Sequence, residues 1–115
     1  YMVAFDGSKT SQKLIFKVIQ SPLTQGLKCH LVMVGDDQED AFKLALKKLK
    51  AAKVAVQASI LSGEVDSALL EYQRINQIGL IAMGAYGQSR LRAFFLGSNT
   101  MKILKNSRVP LLLIR

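Results

Sequence analysis

At 115 residues the chain supports one domain rather than two, and with half of its residues apolar it can bury a core of its own. It carries 16 Lys and Arg against 8 Asp and Glu, a formal charge of +8, with one cysteine (Cys29) and one histidine (His30). Those counts exclude an internal disulfide, a cysteine-based zinc site and a His-rich metal centre, and they argue against a Ser-His-Asp triad.

The first predicted strand is the apolar run 1–5, ended by the turn signal Asp6-Gly7-Ser8. Ser11, Leu14, Ile15, Val18 and Ile19 then recur at helical spacing, and Pro22 and Gly26 stop that helix. A second apolar run, 28–34, closes at Gly35-Asp36-Asp37; its composition makes His30 an inert residue at a strand edge. Asp37, Glu39 and Asp40 suit a helix N-terminus, and Phe42, Ala45, Leu46, Leu49 and Ala52 form the stripe of the helix that follows. Val54, Val56, Ala58 and Ile60 alternate as a third strand, with Ser62-Gly63 as its turn. Val65, Ala68, Leu69, Tyr72 and Ile75 mark a third helix, and 80–83 a short fourth strand, apolar on both faces. A glycine-bounded loop fills 84–97, a fourth helix runs from about Ser98 to Lys105, and the last strand covers 109–114, entered through Pro110.

Strand and helix thus alternate, and most strands are continuous apolar runs, which implies an α/β fold with a parallel sheet covered by helices on both faces. In such a sheet, ligands bind beyond the C-terminal strand ends where the strand order reverses. The loops there are 6–8, 34–37, 61–64 and 84–97. Residues 85–115 hold Arg90, Arg92, Lys102, Lys105, Arg108 and Arg115 with no acid, which suits a phosphate or polyanion near the C-terminal third, although charge alone is accounted for better by a solubilising face.

No apolar run reaches the roughly 18–20 residues that cross a bilayer, and the start lacks a basic n-region and a cleavage pattern. The expectation is a cytoplasmic protein with no membrane partner. Tyr1 is not an initiator methionine, so the chain reads as a piece of something longer or one whose start lies upstream.

G-x-G-x-x-G, G-x-x-x-x-G-K-[ST] and G-x-S-x-G are all absent, and the acids at 36, 37, 39 and 40 lack the spacing of a Ca²⁺ loop. What remains is Gly84-Ala85-Tyr86-Gly87, nine residues, then Gly97-Ser98. Glycines let backbone N–H groups approach an anion, and the helix opened by Ser98 offers unpaired N–H groups and the positive end of its dipole. Taken alone, a turn followed by a helix cap accounts for the same residues equally well.

The spacing G-x2-G-x9-G-S resembles the nucleotide-binding motif of the universal stress protein family. Val3-Ala4-Phe5-Asp6-Gly7-Ser8 resembles its first strand and turn, 31–34 its second strand, Gly63 the turn after its third, and 109–113 its last, so the likeness covers nearly the whole chain. It implies a doubly wound five-stranded parallel sheet in the order 3-2-1-4-5 that binds ATP or AMP, with Mg²⁺ or Mn²⁺ accompanying the phosphates. It further implies that Asp6, with Gly7 in its turn, meets the ribose and that the Val34 backbone meets the adenine edge. Gly84 and Gly87 would wrap the ribose and phosphates, while Gly97, Ser98 and the Asn99 backbone would hold the terminal phosphates. Three positions depart from the family pattern: Gly79 where Asp is frequent, Asn99 where a small apolar residue is usual, and Gly63-Glu64-Val65 without the Pro often found there.

The expected function is a nucleotide-binding sensor or regulator of a stress response rather than an enzyme, although the resemblance leaves slow hydrolysis or autophosphorylation open. Pairing is expected through the edge strand 109–114, as a homodimer or with a tandem sister domain, with Leu112 or Leu113 facing outward. Two alternatives stand beside this reading. One is a pairing module that binds nothing. The other is a polyanion-binding domain using Arg90, Arg92, Lys102, Lys105 and Arg108, which lacks the stacking aromatics expected for single-stranded nucleic acid.

Overall fold

The computed structural model describes residues 1–84 and 98–114. Within them, strands and helices alternate: β1 (Met2–Ala4), α1 (Lys9–Gln20), β2 (Cys29–Val34), α2 (Glu39–Ala51), β3 (Val56–Leu61), α3 (Val65–Ile75), β4 (Ile81–Gly84), α4 (Ser98–Asn106) and β5 (Leu111–Ile114). The strands form one parallel sheet in the order β3-β2-β1-β4-β5. This is the doubly wound α/β architecture that the sequence implies. Its order reverses between β1 and β4, so the crevice above those two strands is the ligand position such sheets favour.

Burial follows the period of two. Val3, Cys29, Leu31, Met33 and Ala82 face a cluster with Leu14, Ile15 and Val18 of α1 and Phe42, Ala45 and Leu49 of α2. Met2, Val32, Ile81 and Met83 face a second cluster with Leu69 of α3 and Ile103 of α4. The residues of β2 from Cys29 to Met33 are buried on both faces. Each large apolar side chain enclosed in this way contributes about 1.5–3 kcal/mol relative to exposure.

Both edge strands depart from the sequence expectation. On β3, Val56 packs on the first cluster, but Ala58 is exposed and Ile60 is 42% exposed. That strand begins at Val56 rather than Val54, because Val54 belongs to the closing turn of α2. Lys53 takes φ 64°, its N–H bonds Lys50 O at 2.9 Å, and Val54 N–H bonds Leu49 O at 3.0 Å. This paired C-terminal closure normally uses glycine at the left-handed position. The end of α3 repeats it, with Gln77 at φ 54°, Gln77 N–H on Arg74 O and Ile78 N–H on Gln73 O at 2.9 Å. On β5, neither Leu112 nor Leu113 faces outward. Both are half-buried, Leu112 against the first cluster and Leu113 against the second.

Candidate functional site

The crevice is built where α1 and α4 begin. Ser8 caps α1: its Oγ accepts the Ser11 N–H at 3.1 Å, and its own N–H donates to Asp6 Oδ1 at 2.9 Å. Asp6 therefore ties down the turn from the end of β1 into α1, as an Asp at this position does. Gly7 sits in that turn at φ +82°, and a Cβ there would lie 2.7 Å from Gln38 Cγ at the start of α2. The bare Gly7 backbone thus lets the second loop pack against the first.

Val34 ends β2. Along this strand the His30 N–H and the Val32 carbonyl both point to the β1 side, bonding Tyr1 O and Phe5 N–H at 2.8 Å. Residues two apart share an edge, so the peptide groups of Val34 point the same way. With β1 finished at Ala4, they reach past its end towards the crevice.

Gly84 ends β4 in close quarters. A Cβ there would stand 2.9 Å from Thr10 Cγ2 and 3.3 Å from Thr10 Cβ, so the absent side chain admits the first turn of α1. From the other side, Thr100 in the first turn of α4 donates to Gly84 O through a long bond of 3.4 Å. Two helix N-termini are therefore drawn to the end of one strand. Neither α1 nor α4 carries an acid in its first turn, whereas α2 has Glu39 and Asp40 and α3 has Asp66. The Asp6 carboxylate already stands before α1 on the Ser8 N–H, so the dipole end left to suit an anion is that of α4.

Asp6, Gly7, Val34 and Gly84 are thus brought to one end of the sheet, with the start of α4 at Ser98 and Asn99 beside them. Gly87 and Gly97, with Arg90 and Arg92, lie outside the described residues. Thr10, Gln38 and Thr100 were not singled out from the sequence. Among the described residues, no group of three or more His, Cys, Asp or Glu side chains is placed to hold a metal.

His30 lies elsewhere, on β2, a strand paired on both sides. Its Nδ1 is 2.8 Å from the Tyr72 hydroxyl, which in turn lies 3.4 Å from Ser59 Oγ. Burial, and then the charge of Lys28, hold its pKa below the usual imidazole value, which favours the neutral ring. It stands near the start of its strand, roughly 13 Å along the chain from Val34. It borders an open depression of about 450 Å³ at the N-terminal end of the sheet, lined also by Lys28, Asn76 and Gln77.

A parallel sheet doubly wound by helices, its order reversing between β1 and β4, defines the class of α/β domains whose ligands, where they have any, lie beyond the C-terminal strand ends. A sequence model of the universal stress protein family matches residues 35–115, and the chain belongs to that family. It is 34% identical to universal stress protein Slr1230 of Synechocystis sp. (strain ATCC 27184 / PCC 6803 / Kazusa), over 99% of this chain and 42% of that protein. The chain spans less than half the length of the curated relatives it matches. Among solved structures, a universal stress protein in complex with cAMP superposes with a TM-score of 0.80 at 20% identity, covering 99% of this chain and 94% of that one. A universal stress protein family member from Arabidopsis thaliana, At3g01520, with AMP bound, gives 0.77 at 16% identity, covering 98% and 88%. At these identities the two structures bear on the fold.

Proposed function

We propose that this domain binds an adenine nucleotide, ATP or AMP, in the crevice above β1 and β4, and serves as a sensor or regulator of a stress response. The observation that carries the reading is the convergence of the N-termini of α1 and α4 on Gly84, through Thr10 and Thr100, with the Asp6 carboxylate beside the first and no acid in the first turn of the second. The cAMP and AMP held by the two relatives support it. In this reading Asp6 receives the ribose hydroxyls, and the turn at Gly7 presents that carboxylate. The Val34 backbone meets the adenine edge, Gly84 and Gly87 wrap the ribose and phosphates, and Gly97 with the backbone at Ser98 and Asn99 holds the terminal phosphates. A Mg²⁺ or Mn²⁺ ion would enter with those phosphates. Phosphoryl transfer needs a positioned nucleophile and charge stabilisation besides a cradle, so we assign binding and no bond-making step.

The direct test is mass spectrometry of the small molecule released from protein purified without added nucleotide, in which an adenine nucleotide is expected. Gly97→Val places a branched side chain where the reading requires backbone against phosphate. It is expected to weaken ATP at least tenfold, about 1.4 kcal/mol, by calorimetry. Unchanged affinity with the fold intact would sink the reading.

A pairing role for β5 is favoured by its position at the sheet edge, with all four of its residues half-buried. The Pro110 carbonyl bonds Ile81 N–H at 3.1 Å, so the peptide groups of even-numbered residues face β4 and those of Leu111 and Leu113 face the open edge. The partner would be a second copy or a tandem sister domain. Leu113→Pro removes an outward N–H while leaving the ladder to β4, which edge strands tolerate. It is expected to shift the assembly towards monomer in sedimentation. A monomeric unmutated domain at high micromolar concentration would exclude self-pairing and leave the tandem form.

A further inference from the structure

Among the helices, α1 and α2 form a layer far more basic than the one formed by α3 and α4. On α1, Lys9, Lys13 and Lys17 are exposed, and the helix itself contains no acidic residue. On α2, Lys43, Lys47 and Lys50 are exposed and Lys48 half-exposed, against Glu39 and Asp40 at its start. Glu39 lies 3.3 Å from Lys43. The opposite layer is nearly balanced: α3 and α4 carry Arg74, Lys102 and Lys105 against Asp66 and Glu71.

The basic layer also exposes apolar surface. Phe16 is 53% exposed, with Lys48 Nζ lying 5.0 Å from its ring centroid. Leu44, one helical turn before Lys48, is likewise 53% exposed. An aromatic and an aliphatic side chain thus stand among long lysine stems, whose methylenes cover apolar surface while their charges reach outward.

We infer that the outer face of α1 and α2 docks on an anionic lipid bilayer, through lysine attraction to the headgroups and shallow insertion of Phe16 and Leu44. The type of cation selects this occupant. None of the chain's arginines lies on α1 or α2. Arginine's planar fork is the group that recognises placed carboxylates and nucleic-acid phosphates, and protein interfaces are enriched in it and depleted in lysine. Lysines spread over two neighbouring helices suit a diffuse negative surface, where each contributes roughly fivefold in binding. A second copy is a poor occupant, because a two-fold contact through this face sets lysines against lysines. The docking is peripheral. Among the described residues no helix is long and apolar enough to cross a membrane, and it was the lack of a spanning run that set the sequence expectation of no membrane partner. The inference is independent of the nucleotide reading.

The test is cosedimentation with vesicles of phosphatidylcholine alone and of an equimolar mixture with phosphatidylserine. Binding is expected to the mixed vesicles only, and to weaken as salt is raised. The double variant Lys17→Glu/Lys47→Glu, on exposed positions, is expected to bind at least about tenfold more weakly. Phe16→Ser/Leu44→Ser is expected to lower binding while leaving circular dichroism unchanged. Lys102→Glu/Lys105→Glu changes the net charge equally on the other layer and is expected to stay within about twofold of the parent. Equal binding to both vesicle types would overturn the inference, as would an equal loss in the α4 variant. So would displacement from the vesicles by duplex DNA bound more tightly through the same lysines, which would assign the face to nucleic acid.

Discussion

Gly84→Ala is expected to destabilise the domain by about 1–3 kcal/mol in urea unfolding, whereas Gly79→Ala is expected to stabilise it by about 0.4–1 kcal/mol. Both replace a glycine that borders β4, and both gain from the smaller entropy of the unfolded chain. They differ in what the new methyl group meets. At Gly79 nothing lies within 4 Å. At Gly84 the methyl meets Thr10 Cγ2 at 2.9 Å and Thr10 Cβ at 3.3 Å, on a branched side chain held by the first turn of α1. Relief requires α1 to move off β4 or Thr10 to leave its rotamer, and the overpacking cost exceeds the entropic gain. Thr10→Ala removes the nearer atom, so the double variant Gly84→Ala/Thr10→Ala is expected to recover most of the loss, as non-additivity between touching residues. Equal effects at Gly79 and Gly84 would show that Gly84 is not required for the close approach of α1.

The same contact marks how far sequence reasoning reached. The element order and the buried strands were legible because β2 and β4 are apolar on both faces, a pattern that parallel strands between helical layers require. The strand order came from the family resemblance, since periodicity says nothing about which strands are neighbours. The start of β3 was placed two residues early because Lys53 takes the left-handed closing position of α2 without being glycine. The exposure of Ile60 was hidden because alternation identifies a face but not whether a helix covers it at the sheet edge. At the site, the glycine motif stood out in sequence, and Asp6, Val34 and Gly84 do gather at one end of the sheet. The partners that explain the bare backbone at Gly7 and Gly84, Gln38 and Thr10, are distant in sequence and carried no signal of their own.

Asp6→Ala is expected to weaken ATP and AMP by similar factors, at a cost of roughly 1–3 kcal/mol, the scale of a hydrogen bond to a charged group. The equality follows from the proposed role, because the two nucleotides share one ribose and differ only in phosphates. The complication is that Asp6 also shapes its loop: Oδ1 accepts the Ser8 N–H at 2.9 Å, and Ser8 caps α1. Truncation to alanine removes that acceptor and costs stability as well. Asp6→Asn separates the two roles, since its amide oxygen can still accept from Ser8 while the charge is gone. The asparagine variant is therefore expected to unfold within about 0.5 kcal/mol of the parent yet bind both nucleotides more weakly, because neutral acceptors make the weaker hydrogen bonds. Calorimetry with ATP and AMP on both variants decides among three roles. Parallel losses in both variants place Asp6 at the ribose. A loss confined to ATP places it at the phosphates or at an ion bound with them. Affinity fully restored by asparagine reduces Asp6 to a residue that holds the turn, and the ribose must then be received by another group at the end of β1.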